Sequence, residues 1–283
     1  MIEVNEKEIG KLLQVGSPNV WMVAHGRSHV GKVRGENQDR MLLEEVPNLQ
    51  GVIAMVADGM GGHTGGSQAA QIAVDTIRKQ LLATPAKVNV YEQIRDCFSS
   101  ADKAIREKAS QDAQLGNMGT TGVAALLLPE ETVHIYTGDS RLYHFRDGAE
   151  IYRTKDHSVV RYLEEEGLLT EEEARNHPMR SRLTSSLGGG PQERKLLLEP
   201  NWDPKPEIEL QPSILRLQAG DIILICSDGL CGEISSPELF ELVKAQQESM
   251  EDLTRICVDA ALQTGGRDNV TVIAIKILSQ PAS

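Results

Sequence analysis

The chain has 283 residues, which suggests one large domain or two small ones, and it is long enough to bury most of its surface without disulfides. Hydrophobic residues make up 40% and charged residues 25%, a soluble globular composition that excludes disorder of the whole chain. The net charge of −12 argues against nucleic acid or an anionic membrane as the main partner.

Two further features bear on location. The longest uninterrupted apolar runs, Val52–Ala57 and Val123–Leu128, are too short to cross a bilayer, and the first residues lack the basic start and apolar stretch of a signal peptide. The four cysteines form no CxxC pair, which favours reduced thiols. We therefore expect a cytoplasmic protein.

In chain order, residues 1–19 are polar and end in a Gly-Ser-Pro sequence, so we expect an N-terminal extension, and a short helix is the element considered for it. Residues 20–283 are expected to form a single domain. Short apolar runs predict its first strands, and apolar residues at helical spacing predict two helices after them. The predicted strands are Val20–Ala24, Arg40–Glu44 and Val52–Ala57, and the predicted helices are Ser67–Leu82 and Tyr91–Lys108.

A β-rich run follows these helices. Three strands are predicted, and Asp147-Gly148 after the third is a hairpin signal. Because strands, helices and strands follow one another in blocks, repeating βαβ units and a Rossmann-type parallel sheet are disfavoured. The three strands are Val123–Leu128, Val133–Thr137 and Leu142–Arg146.

The stretch 159–183 is polar and rich in acidic residues, and we expect a mobile surface insertion there. Thr170 and Glu173 have the spacing of a capping box, which predicts the start of a short helix. The rest of the chain predicts strand, helix, helix and strand. These elements are expected at Ile222–Cys226, from Ser236 to about Gln246, near Glu251–Leu262 and at Val270–Ile277.

Aspartates in glycine-containing turns lie next to several predicted strands. One such Asp is ordinary turn chemistry, but five suggest that the carboxylates converge. Converging carboxylates repel one another unless a cation lies between them, and an all-oxygen set suits Mg²⁺ or Mn²⁺. The five residues are Asp39, Asp58, Asp139, Asp228 and Asp268.

Two metal ions a few ångströms apart can bridge a water and lower its pKa, so that the hydroxide attacks phosphorus in line with the leaving group. Such a reaction also needs a cation for the non-bridging oxygens, a role that suits arginine. Arg34 lies five residues before Asp39, in a segment from His25 to Gly35 that has basic residues and no acid.

Other catalytic motifs are incomplete. The sequence from Gly26 to Val33 resembles a P-loop but lacks the final hydroxyl, no cysteine is followed by arginine six residues later, and no G-x-S-x-G sequence occurs. Asp156-His157 has the reverse order of a phosphohydrolase dyad, so we interpret His157 as a structural residue that orients a loop.

Eight motifs together resemble the metal-dependent serine/threonine protein phosphatases of the type 2C (PPM) family, bacterial branch. The resemblance runs from about residue 20 to 277 and implies an α+β fold, a four-layer α-β-β-α sandwich of two antiparallel sheets flanked by helices. In it, 20–283 is one phosphatase domain and 159–183 its variable flap. The motifs are RGENQD (34–39), ADGMGGH (57–63), GTTG (119–122), GDSR (138–141), DHS (156–158), LTSSLG (183–188), SDGL (227–230) and RDNVT (267–271).

The resemblance also implies roles for single residues. Asp58 would bridge two core metals (Mn²⁺ or Mg²⁺), and Arg34 would bind the substrate phosphate. Asp228 and Asp268 would complete the protein ligands of the first metal, and the Gly59 carbonyl would serve the second. Asp39 would hold metal-bound water, and Asp139 with Asp228 would hold a third metal. Asn269 would support Asp268.

The sequence departs from eukaryotic members at one position. They have a histidine, proposed as the general acid, two residues after the bridging aspartate, where this chain has Met60. His63 is interpreted as a turn or surface residue. Protonation of the leaving group is therefore unassigned, with metal-bound water held by Asp39 as one candidate.

The expected function is hydrolysis of phosphoserine and phosphothreonine in proteins, the substrates of a cognate kinase, by a monomeric enzyme without a phosphoenzyme. Two alternatives stay open. One is a catalytically weak member that acts as a regulatory binding module, although all five aspartates and Arg34 are present. The other is a phosphatase of small phosphoesters.

Overall fold

A computed structural model describes residues 7–14, 20–62, 65–129, 131–189, 196–200 and 214–279. Fourteen β-strands and seven α-helices lie in this part of the chain. The strands are β1 (Lys7–Gln14), β2 (Val20–His29), β3 (Arg40–Val46), β4 (Gly51–Ala57), β5 (Gly59–Met60), β6 (Gly119–Thr120), β7 (Gly122–Leu127), β8 (Thr132–Thr137), β9 (Arg141–Arg146), β10 (Ala149–Arg153), β11 (Leu187–Gly188), β12 (Ile214–Leu215), β13 (Ile222–Cys226) and β14 (Val270–Ser279). The helices are α1 (Gly65–Leu82), α2 (Val90–Ser110), α3 (Val159–Glu165), α4 (Glu171–Arg175), α5 (Asp228–Cys231), α6 (Ser236–Ala245) and α7 (Met250–Thr264).

Two large antiparallel sheets form the centre of the molecule. One has six strands in the order β1-β2-β14-β13-β9-β10, and the other has five in the order β12-β8-β7-β4-β3. A small third sheet, β11-β6-β5, lies beside them. Every pairing within these sheets is antiparallel.

Alternation along the strands explains how the sheets stack. In β4, Val52, Ala54 and Val56 join the apolar cluster between the sheets, while Ile53 and Met55 join the cluster under the helices. All of these side chains are buried, which is why this strand has a continuous apolar sequence. A strand covered on both faces belongs to the interior of a layered structure.

Helices cover the outer face of each sheet. Apolar residues of α1 and α2, such as Ile77 and Phe98, pack on the five-stranded sheet. Residues of α6 and α7, such as Leu239 and Leu253, pack on the six-stranded sheet. The predicted four-layer α-β-β-α sandwich is confirmed. No helix in the described residues combines the length and apolarity needed to cross a membrane.

The N-terminal region differs from its prediction. Lys7–Gln14 is a strand rather than the short helix considered for residues 1–19, and it pairs with β2 along its whole length, from Lys7 opposite Ser28 to Gln14 opposite Trp21. Its sequence lacks the alternation of a half-buried strand, and its pairing places it at the edge of the six-stranded sheet. A domain boundary at residue 20 remains a prediction, but residues 7–14 share the sheet of the residues after it.

Local signals in the middle of the chain are confirmed. β9 and β10 form a hairpin in which Asp147 and Gly148 have positive φ angles of 48° and 72°, as the two central residues of a type I′ turn require. Thr170 and Glu173 form the predicted capping box at the start of α4. Helix α3, capped by Ser158, was not predicted, and the mobility of 159–183 stays a prediction.

Candidate active site

The register of the sheets brings the five predicted aspartates to one end of the sandwich. Asp39 directly precedes β3 and Asp58 directly follows β4. The first residue of β3, Arg40, pairs with the last residue of β4, Ala57. The two aspartates are therefore neighbours across an antiparallel pair.

The other three aspartates lie near strand ends of the six-stranded sheet. Asp139 lies two residues before β9, Asp228 two residues after β13, and Asp268 two residues before β14. Arg141, which begins β9, pairs with Cys226, which ends β13, and β14 pairs with the other side of β13. The three aspartates therefore lie at one edge of this sheet, facing those of the other sheet.

An open cleft of about 570 Å³ lies where the two sets meet. Its lining includes residues from both sheets, from the loop after β2 and from the flap segment 159–183. The predicted site residues in the lining are Arg34, Asp58, Gly59, Asp139, Asp228, Asp268 and Asn269. Asp39 lies behind this lining, with 3% of its surface exposed.

Asp58 is fixed by two threonines of the GTTG motif. Its backbone N–H donates to the Thr121 hydroxyl at 3.0 Å, and its carbonyl accepts from the Thr121 N–H and the Thr120 hydroxyl, each at 2.9 Å. Burial raises the pKa of the Asp58 carboxyl well above its ordinary value, and the charge of Asp39 adds to the rise. This carboxylate is therefore held in a place that favours a cation beside it.

Asp139 and Asp228 show the same electrostatic strain. Burial raises the pKa of both carboxyls, and repulsion from Asp228 contributes at Asp139. The Oδ1 atom of Asp228 is buried and has no hydrogen-bond partner among the described residues. An unpaired carboxylate oxygen inside a protein is costly unless a proton or a cation satisfies it.

Asp39 has one satisfied and one unsatisfied oxygen. Its Oδ2 accepts from the Ser227 hydroxyl at 2.8 Å and from the Thr271 hydroxyl at 2.6 Å. Its Oδ1 is buried and meets no donor in the part of the chain that is described. Burial raises the pKa of Asp39 to about 7, against the lowering effect of the two hydroxyls.

The loop that carries Arg34 is tied to the loop before β14. The Arg34 guanidinium donates to Asp268 Oδ2 at 2.6 Å, and its own side chain is 56% exposed. Asn269 holds the loop on both sides of Arg34, because its Nδ2 donates to the carbonyls of Val30 and Glu36 at 2.8 and 2.9 Å. Arg34 can therefore face a ligand in the cleft while staying beside Asp268.

Gly59 lies where helix α1 approaches the cleft. A Cβ built at this position would come within 2.2 Å of the Gly66 carbonyl oxygen. Only glycine fits this contact, so the residue after Asp58 is set by packing as well as by the site.

These residues fit a hard divalent cation by their chemistry. They offer several carboxylates, a backbone carbonyl, and buried oxygens of Asp39 and Asp228 without donors, which is the oxygen-rich environment that Mg²⁺ and Mn²⁺ prefer. The described residues contain no group of three or more His, Cys, Asp or Glu side chains that stand close enough to form a metal cage. The charges of the other four aspartates nevertheless add to the rise in the pKa of Asp58 that burial causes. The fit of a cation rests on the repulsion among these carboxylates and on the unpaired oxygens.

His157 contacts the loop before Asp139, as a structural residue that orients a loop would. Its ring Nδ1 accepts from the Gly138 N–H at 3.3 Å, and its backbone N–H donates to the Gly138 carbonyl at 2.8 Å. Its Nε2 stands 3.7 Å from Glu199, too far for a hydrogen bond. The histidine thus holds the loop that presents Asp139. Met60 borders the cleft, and His63 lies outside the described residues.

The sequence interpretation missed the supporting contacts of the site. Ser227 and Thr271 both contact Asp39, and a bidentate pair joins Arg141 to Asp156 at 2.7 Å in each hydrogen bond. All of these residues lie in the motifs named in the sequence analysis. Their sequence showed where they lie along the chain but gave no sign of which atoms they would contact.

Comparison with known proteins agrees with this geometry. The family model described as Protein phosphatase 2C matches residues 25–264. The serine/threonine phosphatase stp of Listeria monocytogenes is 30% identical over 258 residues, which cover 90% of this chain and 96% of that protein. The sandwich, the aspartate cleft and the matched length together define a phosphatase.

Two solved structures extend the comparison. The catalytic domain of the serine/threonine protein phosphatase PstP, in complex with two manganese ions, is 28% identical, with a TM-score of 0.74 and coverage of 92% of this chain and 99% of that one. The phosphatase Stp1 from Staphylococcus aureus is 26% identical, with a TM-score of 0.77 and coverage of 95% and 98%.

The chain belongs to the protein phosphatase 2C family. It is a serine/threonine phosphatase of the bacterial PPM type, and metal dependence follows from the family.

Proposed function

We propose that this phosphatase hydrolyses phosphoserine and phosphothreonine in proteins by in-line attack of a hydroxide that bridges two metal ions, without a phosphoenzyme. The observation that carries this proposal is the set of crowded aspartates at one cleft, with unpaired buried oxygens on Asp39 and Asp228. Bound Mn²⁺ or Mg²⁺ would supply a water of lowered pKa as the nucleophile.

We assign the metal-holding residues as follows. Asp58, which stands centrally and is repelled by the other aspartates, would bridge the two core ions. Asp228 and Asp268 would complete one site, and the carbonyl of Gly59 and Asp39 would serve the other. Asp139 with Asp228 would hold a third ion. Both Mn²⁺ and Mg²⁺ suit these oxygen ligands, and Mn²⁺ is the ion in the PstP complex.

Arg34 binds the substrate phosphate in this proposal. Its guanidinium lies at the cleft, its side chain is about half exposed, and its contact with Asp268 fixes its direction. Planar N–H groups of arginine match two phosphate oxygens, so binding also orients the phosphorus. Asn269 is a positioning residue, because it holds the backbone on both sides of Arg34.

The substrate class is the part to test first. Phosphothreonine, phosphoserine and phosphotyrosine peptides of one sequence would be compared with p-nitrophenyl phosphate as a small ester. We expect the kcat/KM of the first two peptides to exceed those of phosphotyrosine and of the small ester. A preference for small esters over every peptide would support the small-molecule alternative, and absence of turnover with intact Mn²⁺ binding would support the regulatory binding module.

The absence of a phosphoenzyme is tested separately. The enzyme would be mixed with a radiolabelled phosphothreonine peptide and quenched in acid during turnover. We expect no label on the protein. Covalently bound label that rises and falls during turnover would contradict direct attack.

Three wider expectations belong to this proposal. The enzyme acts as a monomer, on proteins phosphorylated by a cognate kinase, in the cytoplasm. Cys97, Cys226, Cys231 and Cys257 are buried and form no disulfide, which supports a reducing compartment. Light scattering after gel filtration tests the monomer, since a mass near twice that of the chain would contradict it.

A further inference from the structure

A chain of buried hydroxyls leads to Asp39 from behind the cleft. Thr271 donates to Asp39 Oδ2 at 2.6 Å, and the hydroxyls of Thr271 and Ser28 lie 2.7 Å apart. Asn37 Nδ2 donates to Ser28 at 2.8 Å. The surface of Thr271 is fully buried and that of Ser28 is 4% exposed, so the contacts are shielded from solvent.

The hydrogen bonds of this hydroxyl chain all run in one direction. The one hydroxyl hydrogen of Thr271 is used on the Asp39 carboxylate, so Thr271 must accept the hydrogen of Ser28. Ser28 in turn accepts from the Asn37 side-chain amide, whose nitrogen can only donate. The donors therefore all point toward Asp39 Oδ2, and hydrogen bonds aligned in this way strengthen one another.

The hydroxyl chain returns to Asp39 through Asn37. The Asp39 backbone N–H donates to Asn37 Oδ1 at 3.1 Å, so the backbone and the side chain of Asp39 are held by the same short network. Ser227 adds a second donor to Oδ2 at 2.8 Å, and its own oxygen accepts the Thr271 N–H at 3.0 Å. Oδ2 is thus fully occupied, while Oδ1 has no partner among the described residues.

We propose that Thr271 and Ser28 are positioning residues for the phosphatase reaction: their hydroxyls hold Asp39 by Oδ2, so that Oδ1 is the single oxygen that Asp39 offers to the metal site. The inference rests on the proposed function for the role of Asp39. Groups that orient a metal ligand commonly change metal affinity or activity by about 10- to 100-fold when removed.

The test compares an isosteric change with a conservative one. Thr271→Val removes the hydroxyl and keeps the shape, whereas Thr271→Ser keeps the hydroxyl. We expect Thr271→Val to weaken Mn²⁺ binding, measured by titration calorimetry, and to lower kcat, each by about tenfold or more. The KM for a phosphothreonine peptide should stay within about twofold, because Arg34 is untouched. Thr271→Ser, which keeps the hydroxyl, should show neither the loss of Mn²⁺ affinity nor the loss of kcat.

Two further variants separate positioning from packing. Thr254 is a matched control, because it is fully buried and donates to the Glu251 carbonyl at 2.9 Å, away from the cleft. Thr254→Val should change the melting temperature and leave kcat and Mn²⁺ affinity unchanged. Ser28→Ala, which removes only the donor behind Thr271, should lower both quantities by less than Thr271→Val and by more than Thr254→Val.

The proposal is overturned if Thr271→Val binds Mn²⁺ and turns over like the unmodified enzyme, or if Thr271→Ser is as impaired as Thr271→Val. If Thr271→Val does not fold, the comparison of Ser28→Ala with Thr254→Val decides. The proposal is then overturned if Ser28→Ala loses no more kcat and Mn²⁺ affinity than Thr254→Val. Failure of the proposed function is distinguishable, since an enzyme without turnover still gives Mn²⁺ affinities that rank the variants.

Discussion

Arg34 reaches the cleft, and within the described part of the chain its guanidinium has one hydrogen bond, to Asp268, and is otherwise open to a ligand. We expect Arg34→Ala to raise the KM for a phosphothreonine peptide by about 10- to 100-fold, because a hydrogen bond to a charged group contributes about 1.5–3 kcal/mol. The kcat should change less. The measurement is steady-state kinetics at saturating Mn²⁺.

A suitable control for this change is Arg78→Ala. Arg78 is also about half exposed and pairs with a carboxylate, Glu44, but lies outside the cleft lining. It should leave KM unchanged. An Arg34→Ala enzyme with unaltered KM and kcat would show that Arg34 does not bind the phosphate.

Gly59 gives a stability test at the same scale. A Cβ at Gly59 would collide with the backbone of Gly66, whereas one at Gly35 would meet nothing within 4 Å. We expect Gly59→Ala to lower the free energy of unfolding by about 1–3 kcal/mol or more, as overpacking does, and Gly35→Ala to have a much smaller effect. Urea denaturation of both variants measures this. Equal stabilities would show that α1 can move away at little cost.

Residues of the site differ in how well the sequence predicted them. Asp58 and Asp228 follow apolar strands in glycine-containing motifs, so their position at a sheet edge was predictable. The contact of Thr271 with Asp39 joins residues 232 positions apart, and no local pattern encodes such a pairing. The supporting hydroxyls were therefore visible only after the strands had been placed side by side.

Helix α6 begins with a complete capping box. Ser235 accepts from the Glu238 N–H, and the Glu238 carboxylate accepts from the Ser235 N–H. We expect Ser235→Ala to lower the free energy of unfolding by about 1 kcal/mol. The control Ser99→Ala, in the exposed face of α2, should change it by less than about 0.5 kcal/mol. Chemical denaturation distinguishes the two, and equal values would mean that the cap does not stabilise α6.

The sequence predicted those strands and helices whose burial leaves a pattern of apolar residues. β4 and β13 have continuous apolar sequences because both faces are covered, and α1 and α2 show a helical apolar spacing because one face packs on a sheet. The sequence did not predict β1 because it lacks the alternation of a half-buried strand, and the pairing with β2 leaves no local pattern in it. α3 was missed because its seven residues bury only Val160, too few to produce a period.

We expect the buried aspartates at the cleft to determine how the stability of the metal-free protein depends on pH. Burial raises the pKa of Asp39 to about 7 and also raises the pKa values of Asp58, Asp139 and Asp228. Such a carboxyl binds its proton more tightly in the folded chain, so its stabilising effect is lost as the pH rises from the unfolded pKa to the folded one.

The melting temperature in EDTA should therefore fall between about pH 5 and pH 7.5, and Mn²⁺ should remove most of that fall. Differential scanning calorimetry measures both curves. Asp221 works in the opposite direction, because the guanidinium of Arg146 helps to lower its pKa, but its effect appears only at more acidic pH. A melting temperature in EDTA that stays level or rises over this range would contradict the clustering of the carboxylates.

Metal-dependent phosphatase activity at the aspartate cleft is tested by a Mn²⁺ titration of phosphothreonine-peptide hydrolysis, starting from EDTA-treated enzyme. Asp228→Asn removes a charge from the proposed site, and Asp75→Asn removes one from the exposed face of α1 as a control. We predict turnover that requires Mn²⁺, is kept by Asp75→Asn, and falls by at least about 100-fold in Asp228→Asn. Turnover that persists in EDTA, or an Asp228→Asn enzyme as active as Asp75→Asn, would contradict a metal-dependent phosphatase centred on these aspartates.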